Sequence, residues 1–334
     1  MSAKRPTLRD IAQYANVSVS TVSRALNNYQ YVDEDTRAII QQAVEALQYP
    51  LDNLRNPRTT RTVTIASRNP QSLDTSNTGG SNFEYLASLG VRKELEMRQL
   101  DMQTRRMWLD ESEYDLVRGD SGVIVMGGMV DFPFIHHLID SGKRFVILGS
   151  HVLPIQTNCV MADYMHGMQM AVEHLVERGR RSFGLVNGPD STRTSVEKLN
   201  ALQLGLLHHN LYLQPDCITA ADFKSEDGYW QTHTLIERCP NLDAIIFTDD
   251  NTAMGGMSAI KETGRKIPDD IAVVGFHDYD ISRFTDPPLT TVHFDMFQMG
   301  KMAARRLCML LDDPHDIDNW MMLAPTELIV RGST

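Results

Sequence analysis

Residues 7–27 read Thr-Leu-Arg-Asp-Ile-Ala-Gln-Tyr-Ala-Asn-Val-Ser-Val-Ser-Thr-Val-Ser-Arg-Ala-Leu-Asn, the stretch that decides how the chain is read. Leu8, Ile11, Ala12 and Ala15 recur at helical spacing, and so do Val22, Ala25 and Leu26. Each run therefore makes one apolar stripe, and the two short helices hinge at Asn16-Val17-Ser18. The outer face of the second helix carries Val19, Ser20, Thr21, Ser23 and Arg24, side chains small enough to enter a DNA major groove and polar enough to bond phosphates or base edges. Ser18 is placed to cap that helix, whose free N–H groups and positive dipole end then point toward a phosphate. Asp33, Glu34 or Asp35 opens a third helix with Ile39, Ile40, Ala43, Val44 and Leu47 on its core face, and Tyr49-Pro50 stops it.

These motifs resemble the lactose-repressor family of bacterial transcription regulators. The resemblance runs over the whole chain and rests on Thr7-Leu-Arg-Asp-Ile-Ala, the run from Val17 to Asn27, Pro268-Asp-Asp-Ile-Ala-Val-Val-Gly-Phe and Pro287-Pro-Leu-Thr-Thr-Val. It implies an all-α helix-turn-helix head at 1–49 that binds a pseudo-palindromic operator as a homodimer. It also implies a linker at 50–61 and an α/β body at 62–334 that binds a small effector and dimerises. The DNA-facing candidates are Thr7, Ser18, Val19, Ser20, Thr21, Ser23, Arg24, Asn27 and Tyr31. In the family the linker folds on DNA as a hinge helix and wedges a leucine into the minor groove, which makes Leu54 the candidate here. Pro57 and the missing Ala-Arg-x-Leu run leave Leu54 open between that wedge and a packing residue under the third helix.

Charge distribution agrees with a local DNA contact. The chain of 334 residues carries a net charge of -11. Residues 1–61 hold eight Lys or Arg against six Asp or Glu, leaving -13 for the body. An acidic body repels non-specific DNA and leaves affinity to the head. A hydrophobic content of 42% supports full-sized cores in more than one domain. Cys159, Cys217, Cys239 and Cys308 stand far apart with no Cys-x-x-Cys pair, the pattern of a reduced, cytoplasmic chain. The opening residues lack a signal-peptide run, and no apolar stretch approaches the roughly 20 residues needed to cross a bilayer. The ending Arg331-Gly-Ser-Thr has no trailing heptad repeat to join dimers into tetramers.

Beyond the linker, strand-like runs at 63–67, 122–126, 145–148, 159–162, 183–186, 244–247 and 271–275 alternate with helical patterns at 85–98, 134–141, 166–178, 195–209, 228–237, 252–263 and 297–311. That alternation implies parallel sheets covered by helices. About 270 residues of it exceed one doubly wound sheet, so two lobes are expected. The resemblance implies the same division, with two Rossmann-like lobes of the type I periplasmic-binding-protein kind and three chain crossings, near Ala162, Thr291 and Trp320. Lobe 1 is then about 62–161 with 292–319, and lobe 2 about 162–291 with 320–334.

In open parallel sheets ligands bind beyond the carboxyl ends of the strands. The family's aromatic pair there corresponds to Phe83 and Tyr85, either of which can instead pack inward. Its effector-clamping arginine aligns with Leu202, which argues against a carboxylate site like that of purine repressors and leaves Arg193 or Lys198 as the substitute. Phe223 matches the aromatic on which relatives stack a sugar or base, and its flat ring suits the C–H face of a pyranose. Asp249 is the expected hydroxyl acceptor, with Asp250 capping the helix that follows. His277 stands where sugar-responsive relatives have Asp, either reading a hydroxyl or lying plainly on the surface. The effector class implied is a saccharide or its phosphate, with galactosides as the specific guess.

No metal site or cofactor is expected, since adjacent carboxylates such as Asp249 and Asp250 point in different directions and no third ligand follows at fixed spacing. Gly-x-Ser-x-Gly, Gly-x-x-x-x-Gly-Lys and Gly-x-Gly-x-x-Gly are absent, so no residue calls for an enzyme. Two alternatives are a sugar-binding transport component, which leaves the head idle, and a sugar-processing enzyme with a DNA-binding head, which predicts turnover of the ligand.

Overall fold

The computed structural model describes residues 7–26, 33–47, 62–67, 82–106, 122–128, 132–313 and 315–334. Two compact units divide the chain, Met1–Arg61 and Thr62–Thr334.

In the first unit, α1 (Leu8–Tyr14), α2 (Val19–Leu26) and α3 (Glu34–Ala46) bury Ile11, Val22, Ile40 and Ala43 against one another. Asn16 turns the chain between α1 and α2 at φ 51°, a left-handed conformation that asparagine tolerates better than most residues. Ser18 Oγ accepts the Thr21 N–H at 3.0 Å and caps α2, and Asp33 Oδ1 accepts the Thr36 N–H at 2.8 Å and caps α3. Each cap satisfies a backbone donor that the first helical turn leaves without an intrahelical partner.

The second unit holds two six-stranded sheets. Strands β1 (Thr62–Ser67), β2 (Asp101–Arg106), β3 (Val123–Met126), β4 (Phe145–Leu148), β5 (Cys159–Ala162) and β11 (Met321–Ala324) build the first, in the order β11-β5-β4-β3-β1-β2 and parallel throughout. Strands β6 (Phe183–Asn187), β7 (Ile218–Ala220), β8 (Ala244–Phe247), β9 (Ala272–His277), β10 (Thr290–His293) and β12 (Glu327–Ile329) build the second, in the order β12-β10-β9-β8-β6-β7. Only β12 runs antiparallel there, against β10. Central strands such as β3, β5 and β8 are buried along their whole length, as strands covered on both faces must be. Helices α4 (Asn82–Met97), α5 (Phe132–Asp140) and α10 (Met296–Asp312) belong to the first sheet's lobe. Helices α6 (Tyr164–Glu177), α7 (Arg193–His208), α8 (Ser225–Arg238) and α9 (Asp250–Glu262) belong to the second.

The chain passes from one sheet to the other after Ala162, after His293 and after Ala324. The last crossing falls beyond the position expected near Trp320, because Met321–Ala324 pairs in register with Cys159–Ala162 and keeps β11 in the first lobe. Residues 320–324 therefore do not belong to lobe 2, and lobe 1 does not stop at 319. Buried Arg306 anchors this segment: it donates to Asn158 Oδ1 at 2.7 Å and to both Asp316 carboxylate oxygens, and its guanidinium stacks on Trp320 at 4.2 Å. A planar cation fully satisfied in this way can sit in a core without an exposed charge.

Cysteine usage also departs from the sequence expectation. Cys217 and Cys239 are joined in a disulfide with Cα atoms 5.9 Å apart, while Cys159 and Cys308 are free and buried. The 22-residue separation hides the pairing, because β7 and α8 run out and back and bring their far ends together.

Candidate ligand cleft and nucleic-acid interface

The carboxyl ends of the two sheets meet across a seam of named contacts. Behind β3, the Gly128 carbonyl accepts the Arg193 N–H at 3.3 Å. Behind β4, His151 Nδ1 lies 3.0 Å from Glu197 Oε1 on α7. An aromatic row closes the base of the seam: the Phe83 and Phe294 rings are 6.4 Å apart, and Phe276 stands 5.9 Å from both Phe294 and Tyr164. Phe83 is thus one of the seam's packing residues, tucked against Gly149 where a side chain would strike its ring. Tyr85 stays half-buried on α4.

Lys198 lies at the centre. One turn beyond the start of α7, it is 3% exposed and donates to the Thr248 carbonyl at 2.9 Å. Its ammonium sits 4.1 Å from the Phe276 ring centroid and 5.2 Å from that of Tyr164, within cation–π range of both. Burial pulls its pKa down, and the nearby Asp249 and Asp250 charges oppose the shift. Leu202, one turn further, is fully buried in the apolar core, so the position aligned with the family's arginine contributes no polar group. Arg193 stands at the helix start and donates from Nε to Glu197 Oε1 at 3.3 Å.

The cap expected of Asp250 is made by Asp249 instead. Asp249 caps α9, its Oδ1 accepting the Asn251 and Thr252 N–H groups at 2.8 and 3.4 Å, while Oδ2 faces His277 Nδ1 at 3.4 Å. Asp250 begins the helix and turns inward, accepting from Thr291 Oγ1 at 2.7 Å and from the Tyr279 N–H at 2.8 Å. One residue of phase decides this: the extended backbone of Asp249, φ -156° and ψ 140°, is the geometry of a cap, and the next residue is already helical. Burial raises the pKa of both carboxyls, that of Asp250 to about 7.

His277 ends β9 at φ 109° and stacks on Tyr279 at 4.9 Å with nearly parallel planes. Burial first, and the Lys198 charge second, hold its pKa well below the ordinary histidine value, so the ring is neutral. Its Nδ1 has no hydrogen-bond partner among the described residues. The same holds for Asn187 Oδ1 and Glu197 Oε2, both buried near the mouth of the second sheet. Phe223 follows β7 at φ 54°, its ring lying over Gly188, where any side chain would meet it within 2.5 Å. Helix α8 behind it starts at Ser225, three residues before the expected Gly228.

The fold thus gathers Lys198, Asp249 and His277, while Arg193 sits at the seam with Glu197, Phe223 packs over Gly188 and Phe83 lies in the aromatic row. Sequence reading missed His151, Glu197 and Asn187. Glu197 adjoins Lys198 and lies one turn after Arg193, the available signal for it. His151 is visible only through its partner in the other lobe. Such a cleft holds uncommitted donors and acceptors around aromatic faces, which suits a small polyhydroxylated molecule. Among the described residues no group of three His, Cys, Asp or Glu could hold a metal ion, and no helix is long and apolar enough to cross a membrane.

In the head, Val19 begins α2 with 42% of its surface exposed, and Thr21 Oγ1 shares a 2.7 Å hydrogen bond with Ser18 Oγ. Thr7 donates from both its N–H and its hydroxyl to Asp10 Oδ2, at 2.6 and 2.7 Å, so the Asp10 carboxylate reaches back to the N-cap residue of α1. The side chains of Ser20, Ser23 and Arg24, and all of Asn27, Tyr31 and Leu54, lie outside the described residues.

A three-helix DNA-binding head and a two-lobed parallel α/β body with a polar interlobe cleft define a ligand-responsive transcription regulator. The family model for bacterial regulatory proteins of the lacI family matches residues 7–50, and that for a periplasmic binding protein-like domain matches residues 172–334. Residues 7–50 thus match the lacI family's model, and the chain over nearly its whole length is similar to curated HTH-type transcription regulators. It is 28% identical to the probable HTH-type transcriptional repressor ExuR of Bacillus subtilis (strain 168), over 98% of each chain. With the HTH-type transcriptional regulator CelR of Thermobifida fusca it shares 29%, over 91% of each. Among solved structures, a CelR–cellobiose complex superposes with a TM-score of 0.75 at 27% identity, covering 99% of this chain and 100% of that one. The lac repressor dimer bound to operator and the anti-inducer ONPF reaches the same TM-score of 0.75 at 23% identity, with 99% of each chain covered, a likeness of fold. The curated relatives are transcription regulators, and this chain is one too rather than an enzyme.

Proposed function

We propose that the protein is a cytoplasmic repressor that binds a pseudo-palindromic operator as a homodimer and is controlled by a saccharide or saccharide phosphate in the interlobe cleft. The observation that carries the reading is Lys198, a cation 3% exposed that donates to the Thr248 carbonyl and lies against the Phe276 ring, close to a His277 Nδ1 that makes no hydrogen bond among the described residues. A sugar's hydroxyls complete such a site, and its C–H face lies on the Phe223 ring. The cellobiose in the CelR complex supports a saccharide as the class of effector. Galactosides are the first sugars to try. The body carries effector and dimer contacts, and residues 50–61 transmit the lobe angle to the head.

In the head, Val19 supplies an exposed apolar contact for a thymine methyl, and Ser18, Ser20, Thr21, Ser23, Arg24, Asn27 and Tyr31 read bases or hold phosphates, with Leu54 as the minor-groove wedge. A thermal-shift screen of mono- and disaccharides and their phosphates, followed by titration of DNA from the neighbouring promoters with each hit, tests the whole reading. One class of sugar should stabilise the protein and change its DNA affinity, and Lys198→Met or Phe223→Ala should abolish that response. Replacing Arg24 by Ala should weaken operator binding by about 1–3 kcal/mol. Full sugar response in both cleft variants, or an unchanged operator titration for the Arg24 variant, rejects the corresponding assignment.

A further inference from the structure

We propose that Cys217 and Cys239 form a reversible thiol–disulfide site, whose oxidation pins the segment that presents Phe223 to the cleft and whose reduction loosens it. The bond joins the start of β7 to the residue that ends α8, so it encloses β7, Phe223 and the whole of α8. That strand is one of the two short edge strands of its sheet. It lies at the edge, is three residues long, and pairs only with β6, through Leu185 with Ile218, Val186 with Thr219 and Asn187 with Ala220. One more backbone bond, from the Ala221 N–H to the Asn187 carbonyl at 2.9 Å, carries the chain on toward Phe223. Phe223 is held in a left-handed conformation at φ 54°, which a bulky residue keeps only where its surroundings impose it. Without the cross-link, a short edge ladder, the Thr219 hydroxyl's bond to the Gln231 carbonyl, the apolar contacts of Cys217 and Ala221 and the packing of the Phe223 ring over Gly188 remain to impose it. Short edge elements with few bonds open locally well before a domain unfolds.

The surroundings of the four sulfurs select this pair. Cys239 is half-buried at the end of α8, within reach of a small disulfide, while Cys217 is 7% exposed just beneath it. Cys159 and Cys308 are buried in the first lobe, and burial holds the Cys159 thiol up at about 11, away from the reactive thiolate. With glutathione disulfide as the oxidant, the Cys239 thiolate attacks one glutathione sulfur, forming a mixed disulfide and releasing one glutathione thiolate. The Cys217 thiolate then attacks Cys239 Sγ and expels the second glutathione. Two protein thiols lose two electrons and two protons, and one glutathione disulfide becomes two thiols. Excess reduced glutathione runs the sequence backward.

The test uses the full chain equilibrated in oxidised or reduced glutathione and no ligand. Alkylation and peptide mass mapping should find a Cys217–Cys239 cross-linked peptide in the oxidised sample, with Cys159 and Cys308 still thiols. Hydrogen exchange of peptides spanning 218–238 should be tenfold or more faster after reduction, while peptides from β3 and β4 stay unchanged. The Cys217→Ser, Cys239→Ser double variant should show the fast exchange in both buffers. Absence of the cross-linked peptide, or equal exchange in the two samples, overturns the proposal. The wild-type comparison decides the matter even if the double variant fails to fold. Only the final link, from Phe223 to effector affinity, rests on the saccharide reading; a redox effect on exchange survives if that reading fails.

Discussion

His151 Nδ1 and Glu197 Oε1 stand 3.0 Å apart and belong to different lobes. Arg193 holds the same carboxylate oxygen from its own lobe at 3.3 Å, and its N–H crosses the seam to the Gly128 carbonyl. These contacts lie behind the ends of β3, β4 and β6, where the two lobes face each other. Burial lowers the pKa of His151 and raises that of Glu197, so each group gives up part of its charge to sit in the seam. The pair is therefore a close polar contact across the seam, with little of the character of a full ion pair, while His151 Nδ1 also meets Met161 Sδ at 3.1 Å in its own lobe.

Removing this contact should loosen the seam locally and leave the lobes folded. His151→Ala leaves Arg193 as the partner of Glu197 and takes away one polar contact across the seam, on the order of 1 kcal/mol. The Arg193 amide should exchange about fivefold faster in the variant, while amides of β8 and β9 hold their wild-type rates. Unchanged exchange at Arg193 would mean that the contact does not hold the lobes together.

Asp249 separates capping from cleft chemistry. Its Oδ1 closes the first turn of α9 and its Oδ2 looks toward His277 and the Lys198 charge. Asparagine retains a capping oxygen but carries no charge, whereas alanine retains neither. Asp249→Ala should lose about 1 kcal/mol of stability through the cap, and Asp249→Asn only a few tenths by that route. Both variants should lose ligand response, since both take the carboxylate from the cleft. Urea unfolding beside a thermal-shift screen distinguishes the two effects, and equal stability of the Ala and Asn variants contradicts the capping role.

The head was legible because its three helices carry apolar stripes at regular spacing and its caps, Ser18 and Asp33, are the residue types that capping requires. Strands β3, β4 and β8 were legible for a related reason: burial on both faces turns them into unbroken apolar runs. Edge strands lack that signal. Asp101–Arg106 has a largely polar composition, Ile218–Ala220 is three residues long, and Met321–Ala324 exposes Met321 and Leu323, so none stands out from a loop. In the body, strand ends in a parallel sheet pointed to Asp249 and Lys198 and the family resemblance to Phe223 and His277, and the structure brings Lys198, Asp249 and His277 close to one another. What escaped was everything that depends on two distant segments meeting: the His151–Glu197 contact, the Cys217–Cys239 bond and the inward turn of Asp250 onto Thr291.

Helices α8 and α9 cross at two glycines, and the crossing tolerates nothing larger. A Cβ at Gly255 would lie 1.8 Å from the Ser225 carbonyl oxygen, and one at Gly228 would lie 2.2 Å from the Thr252 carbonyl oxygen. The obstacle in each case is backbone, which cannot rotate away as a side chain would. Gly255→Ala should force the helices apart and cost about 3 kcal/mol or more, despite alanine's better helix propensity. A shift in the urea midpoint reads this directly. Wild-type stability in the variant would show that the close crossing is not required.

Asp250 makes the stability of the body depend on pH in a direction set by its burial. The carboxyl is fully enclosed and its pKa is pushed up to about 7, chiefly by desolvation, with the neighbouring Asp249 adding to the shift and the Thr291 hydroxyl opposing it. In the unfolded chain it titrates near 3.9. Below about pH 4 both states hold the proton and its contribution to stability is fully present. As pH rises toward 7 the unfolded chain has released the proton while the folded one retains it, so stability falls by up to about 1.4 kcal/mol per pH unit, and the loss is complete once the folded group ionises. Asp250→Asn keeps the shape and a hydrogen-bond acceptor and removes the titration. Stability of the wild type relative to this variant should therefore decline from pH 5 to pH 8, with the contributions of Asp249, Lys198 and His277 largely cancelling in the difference. Parallel curves for the two proteins in urea unfolding across that range would place the Asp250 proton elsewhere.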